Sequence, residues 1–276
     1  MYLDFNLWIW GLLALAIVIA FLDQRELAIG TAIAVVIAGL FTNKIGYIGA
    51  IFVLLGFALA VLIHKTNKIN RVFCIGLLIA WSAALFLHIV PGFHNLKVLD
   101  HVIAKPNSAP FTMYLNLDKP LIFFALLIAF PRLLGSGAKP NNKGIILTAI
   151  PLFGLLFVAQ WLGAIKPEFG IPSWWWLFAL NNLLLTCVAE EAFFRGFLQR
   201  EIDRKLGWVA GLLIASVLFG LAHFAGGLTL MIFAGLAGLG YGLVFYFSNR
   251  LWAAVLVHFL FNFVHLVFFT YPALAR

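Results

Sequence analysis

Long apolar runs separated by short polar punctuation dominate this chain. The runs occupy positions 7–22, 27–41, 45–62, 72–90, 121–130, 145–161, 174–204, 208–223, 229–247 and 253–270. A bilayer-crossing helix needs about 20 such residues, so the pattern predicts an all-α, polytopic transmembrane bundle of about 8–10 helices, several of them short. One long connection, 91–120, contains Pro, Gly, Asn and Ser and reads as an irregular, non-cytoplasmic segment covering one face. A second break, GSGAKPNNKG from Gly135, reads as a flexible turn. The expected organisation is an N-terminal transmembrane region, 1–170, followed by a C-terminal helical core, 171–276.

Composition strengthens the membrane reading. Hydrophobic residues make up 64% of the 276 positions and charged residues 10%, whereas a soluble domain carries charge on roughly a quarter of its residues. Mean hydropathy is +1.07. The first run has no basic leader and no small-residue cleavage site, and further spans follow, so a first transmembrane helix is expected instead of a signal peptide. Cys74 and Cys187 both sit in apolar runs, which suits small hydrophobes and supports no disulfide framework.

The formal charge of +8 is spread over short loops. Alternating ten spans puts Arg25, Lys65, Lys68, Arg71, Arg132, Lys139, Lys143, Arg200, Arg204, Lys205 and Arg250 on one side. Lys44, Lys97, Lys105, Lys119, Lys166 and Arg276 fall on the other. The positive-inside rule makes the first set cytoplasmic, in keeping with a bacterial inner-membrane protein whose non-protein partners are lipids. Cations divided in this way form no nucleic-acid module.

Against that background, the ionisable residues inside the spans are the candidates for chemistry. AEEAFFRGF, beginning at Ala189, contains Glu190, Glu191 and Arg195. Glu191 and Arg195 are four residues apart and can pair on one helical face, while Glu190 lies about 100° round the helix and is a candidate acid/base. FGLAH ends at His223, and HFLFN runs from His258 to Asn262, one turn apart on one face. His265 either extends that face or is a satisfied histidine at the helix end. Measured from the turns near Lys205 and Arg250 at about 1.5 Å per residue, Glu190 lies about 22 Å deep, His223 about 24 Å, Asn262 about 18 Å and His258 about 12 Å. One buried chamber can therefore collect all four, provided the helix carrying Glu190 continues unbroken to about Arg204.

A carboxylate with imidazoles suffices to activate water, and a histidine and an amide can donate to the developing oxyanion. A divalent metal such as Zn²⁺ on Glu190, His223 and His258 fits the residue types equally, and the sequence does not choose between the two. No HExxH spacing and no GxSxG elbow occurs, so Ser216 and Ser248 read as packing or capping residues.

Taken in order, EExxxR at Glu190, Glu191 and Arg195, FxxxH at Phe219 and His223, and HxxxN at His258 and Asn262 resemble the motif set of the CPBP family. This family comprises the CAAX-protease and bacteriocin-processing (Abi) membrane enzymes, among them the eukaryotic CAAX prenyl endopeptidase. The resemblance implies an intramembrane (metallo)endopeptidase acting on membrane-associated peptides or proteins, with its catalytic chamber between the C-terminal helices. It further implies that Glu190 and His223 polarise the attacking water and that His258 and Asn262 stabilise the oxyanion. Glu191 and Arg195 would orient the first carboxylate, with Phe219 in support. A proton-coupled transporter and a non-catalytic scaffold or immunity protein remain the rival readings, because both also keep Glu and His at mid-membrane.

Overall fold

The computed structural model describes residues 5–135 and 137–275, except for the side chains at 68 and 69. The charge assignments of Lys68 and Arg276 therefore lie outside the described residues. All ten apolar runs are helical. Five helices are long and apolar enough to cross a membrane: Tyr47–Lys65, Asn142–Trp161, Trp175–Leu206, Phe224–Ser248 and Leu251–Phe268. Shorter apolar helices occupy Phe5–Phe21, Asn70–Phe86 and Trp208–Leu221. The protein is thus a multi-pass, almost entirely α-helical integral membrane protein.

The chain divides into two compact units. The first comprises Met1–Val98, Met113–Leu133 and Leu184–Ala189, and the second Leu99–Thr112, Leu134–Leu183 and Glu190–Arg276. In the first, α1 (Trp8–Phe21) packs on α2 (Arg25–Phe41), and α3 (Tyr47–Lys65) packs on α4 (Lys68–Phe86). The segment expected to be irregular contains β1 (Leu96–Val102) and β2 (Phe111–Leu115), paired as a two-stranded sheet. Val98, Val102 and Thr112 are β-branched and suit strands, a signal that the Pro and Gly around them mask in the sequence.

Helix α5 (Asp118–Ala129) is 12 residues long with ten of them buried, because its apolar residues run all the way round. At about 18 Å it falls short of the roughly 30 Å hydrocarbon layer. The alternation of ten spans counted it as a crossing, so the structure does not support that partition of charges. Asp118, buried in the first turn of α5, accepts from Asn95 Nδ2 at 3.2 Å and lies 2.6 Å from His88 Nδ1.

The second unit contains α6 (Asn142–Trp161), α7 (Trp175–Leu180), the Glu190 and Glu191 end of α8 (Val188–Glu191), α9 (Arg200–Leu206), α10 (Trp208–Leu221), α11 (Gly227–Ser248) and α12 (Leu251–Phe268). Helix α11 is central, packing against α6, α10 and α12. Both ends of α12 are tied down. At its start Leu251 N donates to Leu134 O at 3.0 Å. At its end Glu168 N and Gly170 N donate to Phe268 O and Val267 O, each at 2.9 Å.

Lys105, in the long connection, is buried. Its Nζ donates to Leu266 O at 2.6 Å and also to Phe269 O, which places a cation on the carbonyl end of α12. Burial pushes its pKa down to about 8, with Glu168 opposing the shift.

Candidate functional site

From Trp175 to Leu206 the backbone is helical without a break, as the depth argument required. It is not uniformly α-helical, however: Asn181–Cys187 and Ala192–Gln199 are π-helical. Extended π-helix is rare and tends to mark functional sites. Here the two π segments flank α8, which carries Glu190 and Glu191 on a single helical turn.

Exposure is 8% at Glu190, 0% at Glu191 and Arg195, and 4% at His258, so four ionisable side chains are sealed inside the protein. Glu191 Oε1 accepts from Arg195 Nη1 at 3.0 Å and lies 2.7 Å from His258 Nδ1. A ring nitrogen that close to a carboxylate carries the proton, which fixes the tautomer of His258. Its other nitrogen, Nε2, is 3.9 Å from Glu190 Oε2, beyond hydrogen-bond range. His258 therefore stands between two adjacent carboxylates, bonded to one and facing the other.

Arg195 is held on three sides. Besides Glu191, its Nη2 donates to Gly238 O on α11 at 3.0 Å, and its guanidinium lies 4.3 Å over the Phe219 ring. One turn on, Gln199 Nε2 donates to Gly242 O, also at 3.0 Å. A Cβ at Gly238 would stand 3.1 Å from Arg195 Nη2, and one at Gly242 would stand 2.7 Å from Gln199 Oε1. Glycine at these two positions lets the polar side chains reach the α11 backbone.

The Phe219 ring joins the remaining parts of the site. His223 lies 4.8 Å from it and His258 5.7 Å, the latter edge-on at 84°. His223 Nδ1 is 2.8 Å from Phe219 O, and since a carbonyl can only accept, Nδ1 bears the hydrogen. In the neutral ring this leaves the Nε2 of half-buried His223 as an acceptor. Asn262 Nδ2 donates to Asn182 Oδ1 at 3.2 Å, leaving one amide hydrogen of Asn262 for other use.

Among the predicted site residues, Glu190, Glu191, Arg195, Phe219 and His258 form one contiguous cluster, which His223 joins through Phe219. Asn262 sits one turn along α12 from His258. His265 lies 3.0 Å from Thr270 O and is a satisfied histidine near the helix end. Ser216 donates to Leu212 O at 2.7 Å, and Ser248 accepts from Arg250 N at 3.2 Å, so both are packing or capping groups. Cys74 and Cys187 are buried and form no disulfide among the described residues.

No three His, Cys, Asp or Glu side chains among the described residues gather as a metal-binding group. As placed, Glu190, His223 and His258 do not fit Zn²⁺.

Asn182, Gln199 and Tyr241 were missed in the sequence. Asn182 had a visible signal, a polar pair within an apolar span. Gln199 sits four residues beyond Arg195, a spacing that suggests a second polar rung. Tyr241 resembles any other core aromatic.

No curated protein and no solved structure matches the chain. The family model for the Type II CAAX prenyl endopeptidase Rce1-like proteins matches residues 172–264, so the part of the chain that holds every residue of this site is similar to a CAAX prenyl endopeptidase domain.

Proposed function

We propose that this protein is an intramembrane endopeptidase of the CAAX-protease type, cleaving membrane-associated substrates that are prenylated or bacteriocin-like. Catalysis belongs to 171–276, and 1–170 forms an N-terminal transmembrane region with a non-cytoplasmic segment at 91–120. The observation that carries the reading is the placement of His258 between Glu190 and Glu191 inside a membrane-spanning helical unit.

Charge balance gives that placement a chemical meaning. In the proposed hydrolysis His258 carries a hydrogen on both ring nitrogens, a form in which it and Arg195 offset the charges of the two carboxylates. In this state Nδ1–H of His258 stays on Glu191 and Nε2–H becomes a donor. Glu190 takes a proton from the attacking water, and His223 Nε2 accepts a hydrogen bond from the same water. The water oxygen adds to the scissile carbonyl, and His258 Nε2–H with the second amide hydrogen of Asn262 stabilises the oxyanion. The proton held by Glu190 passes to the leaving nitrogen as the C–N bond breaks, giving a carboxylic acid and an amine, between which the remaining water proton then equilibrates.

Purified protein in nanodiscs should cleave a prenylated, C-terminally labelled CaaX peptide. Glu190→Gln should slow cleavage about a hundredfold or more, the scale of a lost general base, with thermal unfolding unchanged. Equal rates for the two proteins would contradict the assignment.

A further inference from the structure

Among the described residues the His258 imidazole makes one hydrogen bond, from Nδ1 to Glu191 Oε1 at 2.7 Å. One such bond sets the position of one ring atom. The length and angle of a hydrogen bond tolerate some change, so the imidazole can still rock about χ2, a torsion that is itself broad in histidine. A ring that rocks carries Nε2 away from Glu190 and from the oxyanion position, so a second constraint is needed. Tyr241 has the geometry to supply it. Its ring lies 4.4 Å from the His258 ring, with the planes 14° apart. Phe219 meets the same imidazole edge-on at 84°, 5.7 Å away. A flat face and a perpendicular edge together define a plane.

Tyr241 is itself held in place. It is 2% exposed and lies on α11 between Gly238 and Gly242. The carbonyls of those two glycines are the ones gripped by Arg195 and Gln199. The two polar rungs thus bracket the residue that stacks on His258, and they tie α11 to the π-helical segment next to Glu190 and Glu191. The face-on stack also suits a protonated imidazole, because the aromatic face is electron-rich.

We infer that Tyr241 is a positioning residue for the hydrolysis proposed above, its ring face fixing the imidazole plane that aims His258 Nε2. The inference rests on that functional reading. What it requires is an aromatic face, not a hydroxyl.

The test compares Tyr241→Phe with Tyr241→Met, which keeps apolar bulk without a ring. With the prenylated CaaX peptide, Tyr241→Met should lower kcat by at least about thirtyfold with KM within about twofold, since small misplacements of reacting groups act on the chemical step. Tyr241→Phe should stay within about threefold of the parent. A parallel measurement is independent of any substrate. In ¹⁵N-histidine NMR of the same proteins in nanodiscs, the His258 Nδ1–H resonance should be present in the parent and in Tyr241→Phe, and broadened away in Tyr241→Met. Three outcomes overturn the inference: Tyr241→Met with parental kcat, Tyr241→Phe as impaired as Tyr241→Met, or a Tyr241→Met protein whose His258 resonance is unchanged. If the parent cleaves no peptide while the resonance behaves as expected, the stack stands and the endopeptidase reading fails.

Discussion

Arg195 bonds Glu191 on its own helix and Gly238 O on α11, and its guanidinium carbon lies over the Phe219 ring on α10. Removing it takes the guanidinium from a carboxylate with 0% exposure, leaving it the His258 bond, and releases a backbone carbonyl. Arg195→Ala should therefore cost about 3 kcal/mol or more and appear as poor yield and a lower melting temperature before it appears in kinetics. Normal stability with no activity would instead assign Arg195 to substrate binding. A lysine offers a point charge in place of a planar fork, so Arg195→Lys should recover part of the stability at most. The Glu191–Arg195 pair was legible because four residues bring side chains together on one helix face. The bond from Glu191 to His258 joins positions 67 residues apart, and no local spacing encodes it. The sequence could nominate His258 as a partner for a carboxylate, but the choice of Glu191 as the bonded one follows from packing.

At the scale of elements, the π-helical segments either side of Glu190 and Glu191 were invisible in the hydrophobic pattern. Tertiary contacts stabilise such turns, among them the two rungs onto α11, and an apolar run looks the same either way. The burial of Lys105 against the end of α12 was equally hidden, because a lysine beside proline in a long connection reads as solvated. Its consequence is measurable through pH. Its pKa in the folded chain is pushed down to about 8 from 10.5, so between these values the native state has released a proton that the unfolded chain retains. Stability should then rise with pH across that window. The melting temperature of the parent minus that of Lys105→Met should grow from pH 8 to pH 10. A difference that stays constant or shrinks would show that Lys105 is not desolvated as described. The ends of α12 also matter because that helix presents His258 and Asn262, and its axial position sets their depth.

For the whole molecule, the membrane class and helical architecture were plain from composition and periodicity, which sum over many residues. The ten-span alternation was not secure, since a buried 12-residue helix and a short spanning one look alike in an apolar count. Because Glu190, His223 and His258 are not gathered as metal ligands, treatment of the purified protein with a strong chelator should leave the rate of peptide cleavage unchanged. A stoichiometric ion whose removal stops cleavage and whose return restores it would refute the water-activation scheme. The central claim is that this buried cluster hydrolyses a peptide bond within the membrane. Its most direct test is mass spectrometry of products formed from a prenylated CaaX peptide in H₂¹⁸O by the purified protein in nanodiscs. The account predicts a shortened lipidated peptide carrying one ¹⁸O in its new carboxylate, formed by the parent and reduced about a hundredfold in Glu190→Gln. The same product formed equally by both proteins, or by neither, would contradict it.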